Sequence, residues 1–170
     1  MIKRDILENH HKYVYLAVGS NIGNRINNIN KACHLLNNFC SIVKISKIYE
    51  TNSWPDEKFP KYLNIIIKCN TVLNPISLLK NLKEIETFLG RKKAKKNFPR
   101  TCDIDIIDFK GLKINSKNIK IPHPRMSNRN FVLLPLFEIN KNWAHPGLKL
   151  HIRTLISLIP NRDIRSIKQI

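Results

Sequence analysis

Residues 62–90 read YLNIIIKCNTVLNPISLLKNLKEIETFLG, and this stretch decides the fold class. Its first half, 62–72, is rich in β-branched and apolar side chains, the pattern of a strand buried in a sheet. Asn74-Pro75 then supplies an N-cap and a first-turn proline. Leu78, Leu79, Leu82, Ile85 and Leu89 recur at helical spacing until Gly90, which can close the helix in a left-handed conformation. Working outward, the alternation repeats. Upstream, 13–18 (YVYLAV) predicts a strand closed by Gly19-Ser20-Asn21. Ile26, Ile29, Cys33 and Leu36 predict a helix over about 24–38. Residues 42–50 (IVKISKIYE) predict a further strand, and 51–61 (TNSWPDEKFPK) a long loop. Downstream, 102–109 (CDIDIIDF) predicts a short strand with a hairpin partner around 112–121 beyond the Gly111 turn. The segment IPHPRMSNRN is a loop, and helices are expected over about 129–139 and 150–159. The order β-α-β-β-α-β is that of a ferredoxin-like α+β sandwich, here with additional C-terminal helices. A single domain over 13–170 is expected, preceded by a frayed polar extension at 1–12.

Composition narrows the function. The longest apolar run is 131–137, seven residues with a proline inside, against about 20 for a membrane span. The N-terminal residues have no long apolar core and carry Asp5 and Glu8, unlike a secretory signal. Five glycines, at 19, 23, 90, 111 and 147, fit neither G-x-G-x-x-G nor G-x-x-x-x-G-K-[ST]. A Walker loop, a Rossmann fingerprint and a kinase glycine loop are therefore excluded. The net charge of +18 suits a polyanionic partner. Heavy use of Lys, Ile and Asn with four alanines equally describes an A+T-rich coding bias. Cys33, Cys40, Cys69 and Cys102 form no C-x-x-C, so reduced thiols in a cytoplasmic protein are expected. No Ser-His-Asp or Cys-His arrangement and no strong general base is visible.

The unusual feature is a carboxylate pair after a cationic run. Asp103 and Asp105 lie two apart on a predicted strand, so they share a face about 6–7 Å apart; Asp108 has the opposite parity and is expected to face away. Like charges so placed suit Mg²⁺, a hard cation that takes one or two carboxylates and completes its shell with water and phosphate. Two surface acids on an edge strand would have the same pattern. Arg91, Lys92, Lys93, Lys95, Lys96 and Arg100 precede the pair. Cations beside a metal site are what a triphosphate needs. A solvated loop or a nucleic-acid patch is the other reading of the lysines.

PRTCDID (99–105) resembles the P-R-T-x-D-x-D signature of the 6-hydroxymethyl-7,8-dihydropterin pyrophosphokinase family. Further blocks resemble that family in order and spacing from about 13 to 158: VYLAVGSNIGNR, IYET, KYLN, EIETFLGR and IPHPRMSNRNFVLLPLFEI. The resemblance implies transfer of pyrophosphate from ATP, attacked at the β-phosphorus, to the pterin hydroxymethyl oxygen, with AMP released and two Mg²⁺ ions used. It implies that Asp103 and Asp105 hold the metal, and that Arg91, Lys93 and Arg100 hold phosphates and stabilise the transferring group. Lys93 stands where the family usually has Arg, which loses a bidentate fork. Ile106, His123 and Arg129 match ATP-side positions, and Glu86, counted with them, matches the acidic residue between the two substrates. Thr51, Asn52, Tyr62, Asn64 and Phe131 match the pterin side, where a flat heterocycle needs two aromatic faces and an amide. Asn97 and Phe98 replace the family's Trp and Gly, which leaves open whether Phe98 covers the site one position late. Asn52-Ser53 replaces a proline-rich pair, and Phe59 replaces a pocket-lining Gln. A slow but active cytoplasmic monomer, engaging neither membrane nor nucleic acid, is expected. Two alternatives stand beside it. One is a degenerate member with weak or no activity. The other is a basic RNA-binding module, which would want an RNP-type strand that the sequence lacks.

Overall fold

The computed structural model describes residues 12–53, 56–92 and 98–170. It is built on a six-stranded antiparallel sheet, with β1 (Val14–Ser20), β2 (Ser41–Ile45), β3 (Tyr49–Thr51), β4 (Tyr62–Asn70), β5 (Asp103–Phe109) and β8 (Lys168–Gln169). The order is β5-β1-β4-β3-β8, with β2 also on β4. Taking β2 and β3 as one interrupted strand, the core order is that of the ferredoxin-like sandwich the sequence predicts.

Helices α1 (Arg25–Leu36) and α2 (Pro75–Phe88) pack on one face of the sheet. Asn24 and Asn74 cap them, their Oδ1 atoms accepting from the Asn27 and Ser77 amides at 3.0 and 2.9 Å. Ile29, Ala32 and Leu36 of α1, with Leu78, Leu82 and Ile85 of α2, bury against Leu16, Val18, Ile65, Ile67, Ile104 and Ile106. Helices α3 (Asn130–Ile139) and α4 (Ile152–Ser157) cover the other face, where Tyr15, Ile66 and Ile107 meet Val132, Leu133, Leu136, Trp143 and Leu155. Among the described residues no helix is long and apolar enough to cross a membrane.

Three expectations are corrected. The strand over 42–50 breaks after Ile45 because Ser46 turns inward. Its Oγ accepts from the Ile66 amide at 2.9 Å, and Glu138 of α3 takes the Lys47 amide at 3.1 Å. The 112–121 segment forms its own small hairpin of β6 (Ile114–Asn115) and β7 (Lys120–Ile121) instead of extending β5. Asp108 does not face away. Tyr15 pairs with Asp108 while Leu16 pairs with Ile106, so Ile107 is an extra residue, a β-bulge that shifts parity. Asp108 therefore lies on the Trp143 side, fully buried, and accepts from Trp143 Nε1 and the Gly111 amide at 2.9 Å each. Helix α5 (Asn161–Ser166) and strand β8 are too short and polar to show as periodicity; β8 is held by pairing with β3.

His145 gives the fold a pH dependence. Its Nδ1 accepts from the Gly147 and Leu148 amides at 3.1 and 3.0 Å, and burial pushes its pKa below the ordinary value. A histidine depressed in the folded state binds its proton more readily unfolded. Its contribution is thus present above about pH 6.5 and is lost as pH falls through the folded value. Thermal unfolding between pH 7.5 and 5 should show stability falling on acidification. His145→Asn, which keeps an acceptor for the two amides, should flatten that slope; an unchanged slope counts against the assignment.

Candidate functional site

The floor of the site is set by strand register. Across β5, β1 and β4, Asp103 lies opposite Gly19 and Gly19 opposite Asn64; one step along, Asp105 lies opposite Ala17. Opposed residues share a face. The carboxylate pair and Asn64 therefore flank a strip built from glycine and alanine, which leaves space above the sheet. Gly19 is needed for closeness: a Cβ there would stand 3.0 Å from Asn64 Oδ1 and 3.4 Å from Tyr62 Cδ1. A cavity of about 280 Å³ opens on this floor.

The cationic wall begins at the end of α2. Gly90, at φ +85°, makes a Schellman cap, with the Gly90 amide on Thr87 O at 3.0 Å and the Arg91 amide on Glu86 O at 3.0 Å. That turn brings Arg91 back over Glu86. Its guanidinium lies 2.6 Å from Glu86 Oε2 and 2.7 Å from Asp103 Oδ1, and Arg100 reaches the same Oδ1 at 3.1 Å. Burial alone would raise the Asp103 carboxyl, but Arg100, Arg91 and Lys83 overcome it and hold its pKa below the usual carboxylate range. Asp103 is thus ionised, and the guanidiniums are aimed at whatever occupies the cavity above it.

Asp105 faces His123 Nε2 at 3.7 Å and Arg129 NH1 at 3.8 Å, both beyond direct hydrogen-bond distance. The His123 amide donates to Ile107 O at 3.1 Å, so the bulged residue also anchors the histidine loop. Burial pushes the His123 pKa down, Arg129 and Arg125 add to this, and Asp105 opposes it. Its Nδ1 accepts from the Arg125 amide at 3.2 Å, which suits a neutral ring. Among the described residues no group of three or more His, Cys, Asp or Glu could enclose a metal. The pair offers hard oxygen donors for part of a shell, a set that fits Mg²⁺ sharing its remaining positions with water and phosphate.

The opposite wall suits a flat heterocycle. Asn64 Nδ2 donates to Thr51 Oγ1 at 3.0 Å, which fixes the amide plane. Tyr62 and Phe131 present rings to the same cavity, and Arg129 sits 5.3 Å over the Phe131 ring. A second chamber of about 860 Å³ shares Thr51, Asn52, Arg129 and Phe131 with the first and is also lined by Ser53. The Ser53 hydroxyl is buried with no partner among the described residues, as is that of Thr101.

Of the residues singled out from sequence, Asp103, Asp105, Arg91, Arg100, His123, Arg129, Thr51, Asn52, Tyr62, Asn64 and Phe131 line one cavity. Two do not. Glu86 lies behind the wall, 1% exposed, bonded to Lys83, Arg91 and the Ile104 amide. The Ile106 side chain belongs to the helix-side core, as its strand parity requires. Phe98 does not line the cavity; its ring packs on Phe59 with centroids 5.4 Å apart. Lys93, Lys95, Lys96 and Asn97 lie outside the described residues, as do residues 1–11. Sequence reasoning missed Lys83, Arg125, Ala17, Gly19 and Val132 as lining residues. It also missed Asn21, whose burial in the G-S-N turn is its only signal. Lys83 was findable, three residues before Glu86 on one helix face.

Comparison with known proteins gives a consistent result. A sequence model of the family described as 7,8-dihydro-6-hydroxymethylpterin-pyrophosphokinase matches residues 15–141. A 2-amino-4-hydroxy-6-hydroxymethyldihydropteridine pyrophosphokinase of Aquifex aeolicus is 44% identical over 133 residues, spanning 78% of this chain and 83% of that protein. The enzyme of the same description from Bacillus subtilis is 41% identical over 127 residues, 74% of this chain and 76% of its own length. Among solved structures, wild-type HPPK-DHPS of Plasmodium falciparum with SDX-DHP matches with a TM-score of 0.73 at 18% identity, over 92% of this chain. This chain spans 47% of that one, and the likeness concerns the fold.

Proposed function

The chain belongs to the 7,8-dihydro-6-hydroxymethylpterin-pyrophosphokinase family, and from that membership we propose that it transfers the β,γ-pyrophosphoryl group of ATP to the hydroxymethyl oxygen of 6-hydroxymethyl-7,8-dihydropterin and releases AMP. One observation carries the reading. A single cavity has a carboxylate pair at one end, with two guanidiniums on Asp103, and, beyond Gly19 and Ala17, an amide–hydroxyl edge beside two aromatic rings at the other. The first end suits a metal-bound polyphosphate and the second a pterin, with open floor between them for the reacting groups.

In this reading Asp103 and Asp105 would hold two Mg²⁺ ions, which when bound neutralise phosphate charge and order the oxygens around phosphorus. Arg91 and Arg100 meet the phosphate charge, with Glu86 fixing Arg91 from behind. Lys93 would add a point charge. His123 and Arg129 face the same end beside Asp105, and Ile106 contributes through its strand backbone. Asn64, held by Thr51, reads the pterin edge; Tyr62 and Phe131 bracket its plane, and Asn52 adjoins it. No side chain need accept a covalent bond. Alignment of two bound substrates and fixed charge supply the rate. A cytoplasmic monomer is part of the proposal. An RNA-binding role is disfavoured because α3 and α4 cover the sheet face that such a module would use.

The test is AMP formation from ATP and Mg²⁺ with and without the hydroxymethylpterin. Pterin-dependent AMP in step with pterin diphosphate supports the reading. ADP as the nucleotide product, or no AMP from protein that binds both ligands, overturns it.

A further inference from the structure

Residues 161–170 are fastened to both walls of the heterocycle end of the cavity. One wall is the start of α3, which carries Phe131. The first residue of that helix, Asn130, accepts from the Phe131 amide through Oδ1 at 2.7 Å and donates through Nδ2 to Asp163 O of α5 at 2.5 Å. Ser166 Oγ donates to the same carbonyl at 2.8 Å, and Ile164 packs on the cluster of Val132 and Trp143. The other wall is β3, which ends on Thr51 and so places the hydroxyl that fixes Asn64. Strand β8 lies along the outer edge of β3, with Gln169 opposite Tyr49 and Lys168 opposite Glu50. Beyond it the Ile170 amide donates to Ile48 O at 3.0 Å. Between the two fastenings Arg162, Asp163 and Ser166 line the second chamber. Among the described residues, none of this segment lines the first cavity.

We propose that residues 161–170 are a positioning element that holds the Phe131 and Thr51 walls at the spacing a flat ring requires, with the Asn130 side chain and the Ile170 amide as its two pins. The inference rests on the pyrophosphokinase reading and deepens it. The segment lies beyond residues 15–141, the stretch that the family model matches. It adds little to the core, since no residue of α5 or β8 is buried. Its bonds go to the two walls instead. Helix α3 and strand β3 already meet at one pair of ends, where Tyr49 Oη lies 3.0 Å from Glu138 Oε2. The segment closes the span at the opposite ends, where Phe131 and Thr51 face the cavity. The effect is confined to one substrate because Asp103 and Asp105 lie on β5, at the opposite edge of the sheet from β8. With a pin removed, the walls also populate spacings that do not fit a ring, and apparent affinity falls with the fraction that still fits. The fall is limited by the strength of the bond removed, about two- to tenfold.

Calorimetry on the full chain tests this, with 6-hydroxymethyl-7,8-dihydropterin titrated in saturating Mg²⁺–α,β-methylene ATP and with that nucleotide titrated alone. Asn130→Asp keeps the acceptor for the Phe131 amide but loses the donor to Asp163. Ile170→Pro, at an exposed position, removes the other pin. Each should weaken pterin binding about two- to tenfold and leave nucleotide affinity within about twofold. The double variant should lose no more than the weaker-binding single one, because one open pin already frees the segment. Unchanged pterin affinity in either single variant overturns the proposal, as do losses that multiply in the double variant. Equal weakening of both ligands also overturns it, since that marks general destabilisation. Each of these outcomes leaves the pyrophosphokinase reading standing. Failure of wild-type protein to bind either ligand removes both.

Discussion

Asp103→Asn is expected to lower pterin-dependent AMP formation by about a thousandfold while changing the affinity for ATP far less. The asymmetry follows from what surrounds the carboxylate. Arg91 and Arg100 both lie on its Oδ1, at 2.7 and 3.1 Å, and in the proposed reaction the same guanidiniums face phosphate. Removing the negative charge leaves them as free to attract a polyphosphate as before, or freer. What is lost is half of the hard-oxygen pair that Mg²⁺ would need. The substitution is nearly isosteric, and Arg91 keeps Glu86 as a buried partner, so the fold should persist. Steady-state kinetics should show kcat collapsing with the ATP KM within about tenfold, the pattern of an interaction made chiefly in the transition state. A parallel rise in KM with intact kcat would instead make Asp103 a plain binding residue.

Asn64→Ala carries the second large effect, and it falls on the other substrate. The side chain is buried and its amide plane is fixed by Thr51 at 3.0 Å. A flat ring that donates and accepts along one edge would lose two bonds and leave its own polar atoms unpaired, at about 1–3 kcal/mol each. The pterin KM should therefore rise by about 10² to 10³-fold, with the ATP KM unaffected. Tyr62 and Phe131 would still bracket a ring, so pterin binding should weaken without vanishing. An unchanged pterin KM in a folded variant would mean that the amide does not read the substrate. Asn64→Asp restores acceptors but not the donor to Thr51, and should recover little.

Most of the fold was legible because its signals are local. Asn74-Pro75 and Gly90 bound α2 by their own conformational preferences, and the apolar spacing of α1 and α2 needed no distant partner. The illegible parts depend on tertiary contacts. Ser46 breaks a plausible strand only because Ile66 and Glu138 stand where they do, and β8 exists only because β3 offers it an edge. The site was legible to the same extent. Strand parity put Asp103 and Asp105 on one face and Tyr62 and Asn64 on another strand's equivalent face, as found. Parity failed at Asp108, where the bulge intervenes. Resemblance gave Glu86 an ATP-side role, whereas its geometry has it support Arg91 from beneath. Gly19 and Ala17 went unnoticed because their contribution is the absence of side chain.

The extra Ile107 matters to β5 through its backbone more than through its side chain. Any apolar side chain at 107 could keep its place against Tyr15 and Ile66. Deleting the residue closes the bulge, so Asp108 stays opposite Tyr15 and Phe109 opposite Val14, on the faces they already hold. The first half of the strand would keep its register with β1, and the carboxylate pair would keep its face. The damage would instead reach the site through the lost Ile107 carbonyl that anchors the His123 loop. An alignment of this strand with a relative that lacks the extra residue therefore needs its gap inside the strand, between Ile106 and Asp108. An ungapped one would match the buried carboxylate to the wrong side of the sheet.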